Sequence, residues 1–554
     1  MFGPPKSREQ TVVLDLGYLI MSKFRAGRQA RSLLACLFLS ICLLFFGQRT
    51  NARNSDNTFR YQFYNNVVLS KSNKSYNKPS KVYSTALKHQ FLLNYKFNDP
   101  PYLNVQQFGA YGDGIHDDQQ AISQAIAAGQ ALGKSIYFPP GNYLHSGLIV
   151  SNGVKLFGAG ATTFLTATNN TNGAIELTGN GPSVSSMVIN YLSPAPVAPY
   201  GFGWTDPMPQ AGNVWIQSAS NFFVTQITIS NSSNNGIDLL QSSNGEVTHS
   251  IIASTSYSGM QIVDCNNVNV SNNSIPANLN GNPIDIFYGN SGSQGLTLAS
   301  NSLQGGNQAI FASGLQSSYI NNNNISGNTG IGIDLVGDSV GATIGEGPVS
   351  EIGIFGNTII GTSDGAIVVN DDSNTNNFVS NNVITNNNVN GDEIDIFSGN
   401  NMVISQNSIS NTANARGIGL FSPHDIVVSA NTINSTQGGQ DGIDSYTCQN
   451  IVIASNTISN IGGYGIYCDA NINPGPGALN CSSNQLSNCC IARGNVIEFL
   501  SDGTFTSLTI ASNNYAGPAN LATYYIESLV AGSATNPNIN GNTQATALPN
   551  HLAP

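Results

Sequence analysis

The chain has 554 residues, 19 of them Lys or Arg and 30 Asp or Glu, for a formal net charge of −11. That length exceeds one small core and calls for a large domain or a repeat array, and the acidic balance argues against nucleic acid or an anionic membrane as a partner. Charged residues are 9% of the chain and Gly numbers 58; recurring Ile/Val runs between Asn, Ser, Thr and Gly exclude simple disorder and suit a β-rich extracellular protein.

The first segment reads as a targeting signal. Lys23, Arg25, Arg28 and Arg31 precede an apolar run from Leu33 to Phe46, and Thr50-Asn51-Ala52 supplies small residues for cleavage. This pattern predicts a signal peptide over 1–52, with a true start at Met21, and therefore secretion. The run is short for a bilayer span; an uncleaved anchor is the competing reading. Residues 53–100 are polar and aperiodic, as in a linker or N-terminal arm.

From Leu103 to Gly160 the chain alternates strand and turn signals around one helix. Ala121, Ile122, Ala125 and Ile126 have helical spacing. Asp117 and Asp118 stand just before them, where a carboxylate accepts the free N–H groups of a first turn. The pair is therefore expected to be structural. An amphipathic helix here would cover the open end of a stacked β structure. The pattern Asn104-Val105, Phe108-Gly109-Ala110, Gly112-Asp113-Gly114, Asp117-Asp118, Tyr137-Phe138-Pro139-Pro140-Gly141, Tyr143-Leu144, Gly153 and Gly158 resembles the N-terminal signature of the pectate-lyase-like superfamily, rhamnogalacturonase/epimerase-like branch. The resemblance implies an all-β chain folded as a right-handed parallel β-helix with an N-terminal capping helix. It also implies a group that includes polygalacturonases, other glycan hydrolases, lyases, epimerases and phage tailspikes.

Repeats support the same fold independently. Ile237, Met260, Ile284, Ile310, Ile333, Ile394, Ile418, Ile443 and Ile466 recur, mostly at about 24 residues, which is the period of a solenoid. A leucine-rich repeat would show LxxLxL, and a propeller blade needs about 40 residues or more. The β-helix is expected over 101–500, with last strands and a C-terminal cap over 501–554. Asn-x-Ile steps at Asn324, Asn357, Asn382, Asn407, Asn431 and Asn456 are expected to stack amides along the axis. A Pro-rich stretch, 191–217, interrupts the pattern and holds Trp204 and Trp215. It reads either as a loop wall on which sugar rings stack or as a plug on the solenoid flank. Four of the six cysteines beyond the signal segment, Cys468 to Cys490, suggest stapling near the end of the array; spacing does not give their pairing and supports no metal site.

Candidate chemistry follows from the register. At the strand entrance, two residues ahead of the inward position, successive rungs carry Asp364, Asp392, Arg416, Asp441 and Tyr464. One residue after the inward Ile stand Asp238, Asp285, Asp395 and Asp444. Rungs about 4.8 Å apart would place such acids near the separations used by retaining and inverting glycosidases. Beyond Lys155 the sequence has two cations, Arg416 and Arg493. Thr362–Ile367, Gly391–Gly399 and Ala415–Gly419 resemble the polygalacturonase-type hydrolase pattern NTDG, GDDxxxIxSG and GHG. That resemblance implies Asp364, Asp392 and Glu393 as the catalytic acids. The chain departs from it at Thr362, at Arg416 in the His position, and in lacking an Arg-x-Lys.

The main expectation is thus a secreted glycoside hydrolase acting on polysaccharide. Asp364, Asp392 and Glu393 would be catalytic, and Arg416, His424, Asp395, Asp441, Asp444, Trp204 and Trp215 would bind substrate. No cofactor is expected, save Ca²⁺ if the substrate is a polyuronate. A lyase or epimerase using Arg416, His424 and Tyr446, and a non-catalytic adhesin-like glycan binder, stand as alternatives.

Overall fold

The computed structural model describes residues 102–169, 173–194, 212–232, 234–277, 281–337, 347–370, 375–387, 391–436, 438, 440–447, 449–469, 477–489, 495–501, 505–516, 522–528 and 538–542. The expected signal peptide, the linker, Trp204, Cys448, Cys490 and Arg493 lie outside them.

Each rung is made from short Ile/Val stretches in which every second side chain turns inward, as the pleat requires. In Ile394–Phe397, for example, Ile394 and Ile396 are fully buried. Fully burying one such side chain contributes about 1.5–3 kcal/mol, and repetition makes one continuous core. All strand pairings between rungs are parallel. Fifteen strands stack as one sheet, the front sheet, from Leu148–Ser151 to Ala522–Ser528. Thirty-one others build two further stacks, joined where the long strands Ser183–Tyr191 and Phe223–Asn231 run through the corner between them, and Ser293–Gln294 pairs with Leu315–Gln316 in a small separate sheet. The result is a parallel β-helix.

The nine expected inward positions are in register, with Ile367 inserted between Ile333 and Ile394. The stack also runs past residue 500, through Phe505–Ala511 to Asn538–Asn540. The terminal strands are therefore further rungs.

Gln119–Leu132 is the helix, and it buries Ala121, Ile122, Ala125 and Ile126 against the first strands. The Asp pair divides its work. Asp117 accepts the Gln119 N–H at 3.0 Å. Asp118 turns back to the Tyr111 and Gly112 N–H groups at 2.7 and 3.1 Å, so it ties the preceding loop to the helix.

The asparagine ladder is longer than expected. Asn273, Asn301, Asn323, Asn357, Asn382, Asn407, Asn431, Asn456, Asn484, Asn513 and Asn542 stack at one corner. From Asn301 onward each Oδ1 accepts both the backbone N–H and the side-chain N–H of the Asn one rung before it, at 2.9–3.1 Å. The member of its rung is Asn323; Asn324 is exposed on the strand. A residue in the left-handed region precedes most members, such as Asn322 at φ 54° or Asn381 at φ 55°. The short polar Asn side chain tolerates that conformation. Cys265, Cys468, Cys481 and Cys489 are buried, and no two of these four form a disulfide; the expected staple is not made among them.

Candidate active site

The register defines an outer column on the front sheet, one residue after each inward position. Glu176, Asp238, Asp285, Asp334, Asp395 and Asp444 occupy alternate rungs of it. The intervening rungs place Trp215, Gln261, Phe311, Val368 and Gly419 there. Acids on alternate rungs are about 9.6 Å apart.

At Gly419 the column has no side chain, and the carboxylate of Asp392 fills the space: a Cβ there would collide with Asp392 Oδ2. Asp392 thereby lies in line between Asp395 and Asp444. Arg416 serves two of these acids. Its Nη1 donates to Asp392 Oδ1 and Oδ2 at 3.3 and 3.2 Å. Its Nε lies 2.5 Å from Asp444 Oδ2, in ion-pair contact without hydrogen-bond alignment. The guanidinium also stands 5.5 Å from the Phe421 ring centre and 5.7 Å from that of Tyr446.

Burial sets the protonation of these acids, since a carboxylate loses hydration inside. Burial pushes Asp395 up to about 8; Asp392 and Asp364 add to this and Arg416 opposes it. Asp444 rises to about 7, by burial against the pull of Arg416. Burial raises Asp392 too, while Arg416 holds it down. The site thus keeps a protonated carboxyl, Asp395, one rung from an Arg-bound carboxylate.

The other expected residues distribute unevenly. Glu393 is fully buried, accepts from Asn387 Nδ2 at 2.6 Å, and rises by burial to about 7. It lies between the outward Asp392 and the inward Ile394, shut off from the outer face, so its expected role beside Asp392 is not supported by position. Asp364 is exposed and stands three residues, not two, before its inward residue, Ile367. It is out of the entrance column, although its charge reaches Asp395 and Asp334. Asp441 accepts the Tyr464 N–H at 2.6 Å. His424 belongs to His424–Ser429 on a neighbouring sheet, where its Nδ1 meets Asp425 at 2.9 Å. Trp215 is a strand residue in register with Glu176 and Asp238. It lies seven rungs from Asp395, about 34 Å, so it does not wall the acid cluster.

An aromatic ladder flanks the acids and was not anticipated as a unit. Phe397, Phe421 and Tyr446 stand two residues beyond the acid column. Their ring centres are 4.9 and 5.5 Å apart and the rings nearly parallel. Phe397 remains 40% exposed. The signal was in the sequence: IDIF, IGLF and IDSY repeat an aromatic three residues after the inward Ile. Among the described residues no group of three His, Cys, Asp or Glu is arranged to hold a metal ion.

Residues 102–346 match the family model described as rhamnogalacturonase A/epimerase, pectate lyase-like, and residues 344–514 match one for a right handed beta helix region. Residues 102–346 thus carry a pectate-lyase-like domain, followed by a β-helix region. Its helix is right-handed. Among curated relatives, plasmin and fibronectin-binding protein A of Streptococcus pneumoniae is 44% identical over 80 residues, 14% of this chain and 10% of that protein. Mannuronan C5-epimerase AlgE6 of Azotobacter vinelandii is 44% identical over 66 residues, 10% of this chain and 8% of that protein. A probable glucan endo-1,3-beta-glucosidase of Arthroderma benhamiae is 44% identical over 57 residues, 8% and 6% of the two chains. The chain thus spans a tenth or less of the length of these relatives. Among solved structures, the Dettilon tailspike protein has a TM-score of 0.47 at 16% identity, covering 64% of this chain and 66% of that one. The AlgE6 A-module of Azotobacter vinelandii has a TM-score of 0.41 at 18% identity, covering 81% of this chain and 100% of that one.

Proposed function

We propose that this protein is a secreted, polysaccharide-acting β-helix that hydrolyses glycosidic bonds at the outer face of the rungs 392–446. The observation that carries the reading is the pairing of the protonated Asp395 with the Arg416-bound Asp392 over Gly419. Asp395 would protonate the leaving oxygen, and Asp392 would be the second carboxylate. One rung separates them, about 5 Å, which belongs to the retaining geometry. Asp444 then holds Arg416 from the far side. Under this reading Asp395→Asn stops release of reducing ends from a glycan panel while the fold persists. Full activity in that variant rejects the assignment, and proton NMR of the first product tests retention.

Removal of a proton next to a uronate carboxylate, as in a lyase or epimerase, needs a cation free to neutralise that carboxylate. Arg416 is already engaged by Asp392 and Asp444, which favours hydrolysis over elimination. A second reading, a glycan-binding surface without catalysis, is favoured by burial: Asp392, Asp395 and Asp444 are each less than 10% exposed. It predicts glycan binding with no product at any pH.

A further inference from the structure

The outer column of the front sheet carries a length scale. Its acids recur on every second rung, about 9.6 Å apart. Over the early rungs each acid is met by an amide of its own chain. Asn235 Nδ2 donates to Asp238 and Asn282 Nδ2 to Asp285, both at 2.7 Å, and Gln308 Nε2 donates to Asp334 at 3.3 Å. Over the later rungs no such amide is present among the described residues. Asp395 Oδ1 and Asp444 Oδ1 lack a hydrogen-bond partner, although both residues are more than nine-tenths buried. Buried polar atoms are almost always paired, so an orphan of this kind marks a place for an outside partner. Two residues along the same strands, and on the same face, begins the ladder of Phe397, Phe421 and Tyr446, with Phe397 open to solvent.

Resting on the polysaccharide-active reading, we infer that this face takes a neutral, extended hexose chain of two-fold repeat lying along the solenoid axis. Asp395 and Asp444 meet hydroxyls of alternate sugars, and Phe397 meets an apolar sugar face. Alternate sugars of a flat β-1,4-linked chain point the same way, so a contact on every second rung meets equivalent groups. A carboxyl that keeps its proton both donates and accepts, which suits a hydroxyl. A substrate carboxylate would face Asp392, Asp395 and Asp444 with one shared cation, Arg416, already bound to two of them. The next Lys or Arg in the sequence is Arg493. The charge balance therefore selects against polyuronates.

The test is isothermal titration of the full chain at pH 6 with cellohexaose, mannohexaose and hexagalacturonate. A neutral hexaose is expected to bind at least tenfold more tightly than hexagalacturonate, and more tightly than its own biose, which has no pair of alternate sugars to span both acids. Phe397→Ala, an exposed position that leaves the core intact, should weaken the hexaose about tenfold. Asp285→Asn, on an early rung, should leave it unchanged. Equal or tighter binding of hexagalacturonate overturns the inference, as does failure of both neutral hexaoses to bind. Binding without release of reducing ends refutes hydrolysis and leaves this inference standing; hydrolysis of hexagalacturonate in preference to the neutral chains does the reverse.

Discussion

The rungs around Asp238 and Asp285 and those around Asp395 and Asp444 share one backbone, one register and one acid column. They differ in what meets the acids. Early acids are met by neutral amides and hydroxyls: Asn235 for Asp238, and Asn282 and Ser258 for Asp285. Among the late acids, Asp444 shares Arg416 with a third carboxylate, Asp392, that enters because Gly419 leaves room. Burial raises Asp238 and Asp285 to about 6; burial, with the charges of Asp392 and Asp364 added, takes Asp395 to about 8. A repeat thus makes a site by withdrawing local hydrogen bonds and adding charge at a few rungs, without altering the scaffold.

The largest effect should come from the acids themselves. Asp395→Asn is expected to lower hydrolysis by about 10²–10⁴-fold, the usual weight of a general acid, while Asp285→Asn leaves turnover intact; equal losses in both would erase the contrast between the regions. Arg416→Met leaves Asp392 and Asp444 uncompensated. It should cost about 2–4 kcal/mol in urea unfolding, somewhat less than a fully buried pair because Arg416 is partly exposed. Gly419→Ala forces Asp392 aside; a loss of about 10²-fold in kcat with a normal circular dichroism spectrum would mark positioning rather than folding. Asn407→Ala orphans its ladder neighbours and should cost about 1–3 kcal/mol, with no change in the pH profile of activity.

The pH dependence of stability separates the two regions as well. Acids whose folded pKa exceeds the unfolded value bind more protons when folded, so their contribution is complete at low pH and is lost as pH rises through the folded pKa. For Asp238 and Asp285 the loss is nearly complete at about 6; for Asp444 and Glu393 it extends to about 7, and for Asp395 to about 8. The melting temperature should fall from pH 5 to pH 8. Asp395→Asn should flatten the upper part of that fall and Asp285→Asn the lower part. His145 works in the opposite sense. Buried and held near 4, it disfavours folding below about pH 6.5, where the unfolded imidazole gains its proton.

The solenoid was legible because its period fixes the register, and the register fixes which Ile turns inward. The same counting misplaced Asp364: in the strand Gly365–Asn370 it is Ile367, not Ala366, that stands in register with Ile333 and Ile394, and one residue of slip moves a side chain off its column. Glu393 shows the same limit, since it adjoins Asp392 in sequence yet faces away from the outer surface. Arg416 stood out because cations are scarce. Its engagement by both Asp392 and Asp444 depends on the side-chain reach that Gly419 permits, which no spacing reveals. Trp215 was grouped with the Pro-rich stretch by sequence proximity, whereas its Val214–Ser220 strand pairs it with the acid column.

The asparagine ladder has one more consequence. Successive members are 22 residues apart at Asn301–Asn323 and 34 apart at Asn323–Asn357, yet the amide links stay at 3.0 Å. Coil length and corner geometry are therefore uncoupled. New peptide can be spliced into a coil away from the ladder corner without disturbing the stacking above and below it, which makes this backbone a natural host for grafted recognition loops.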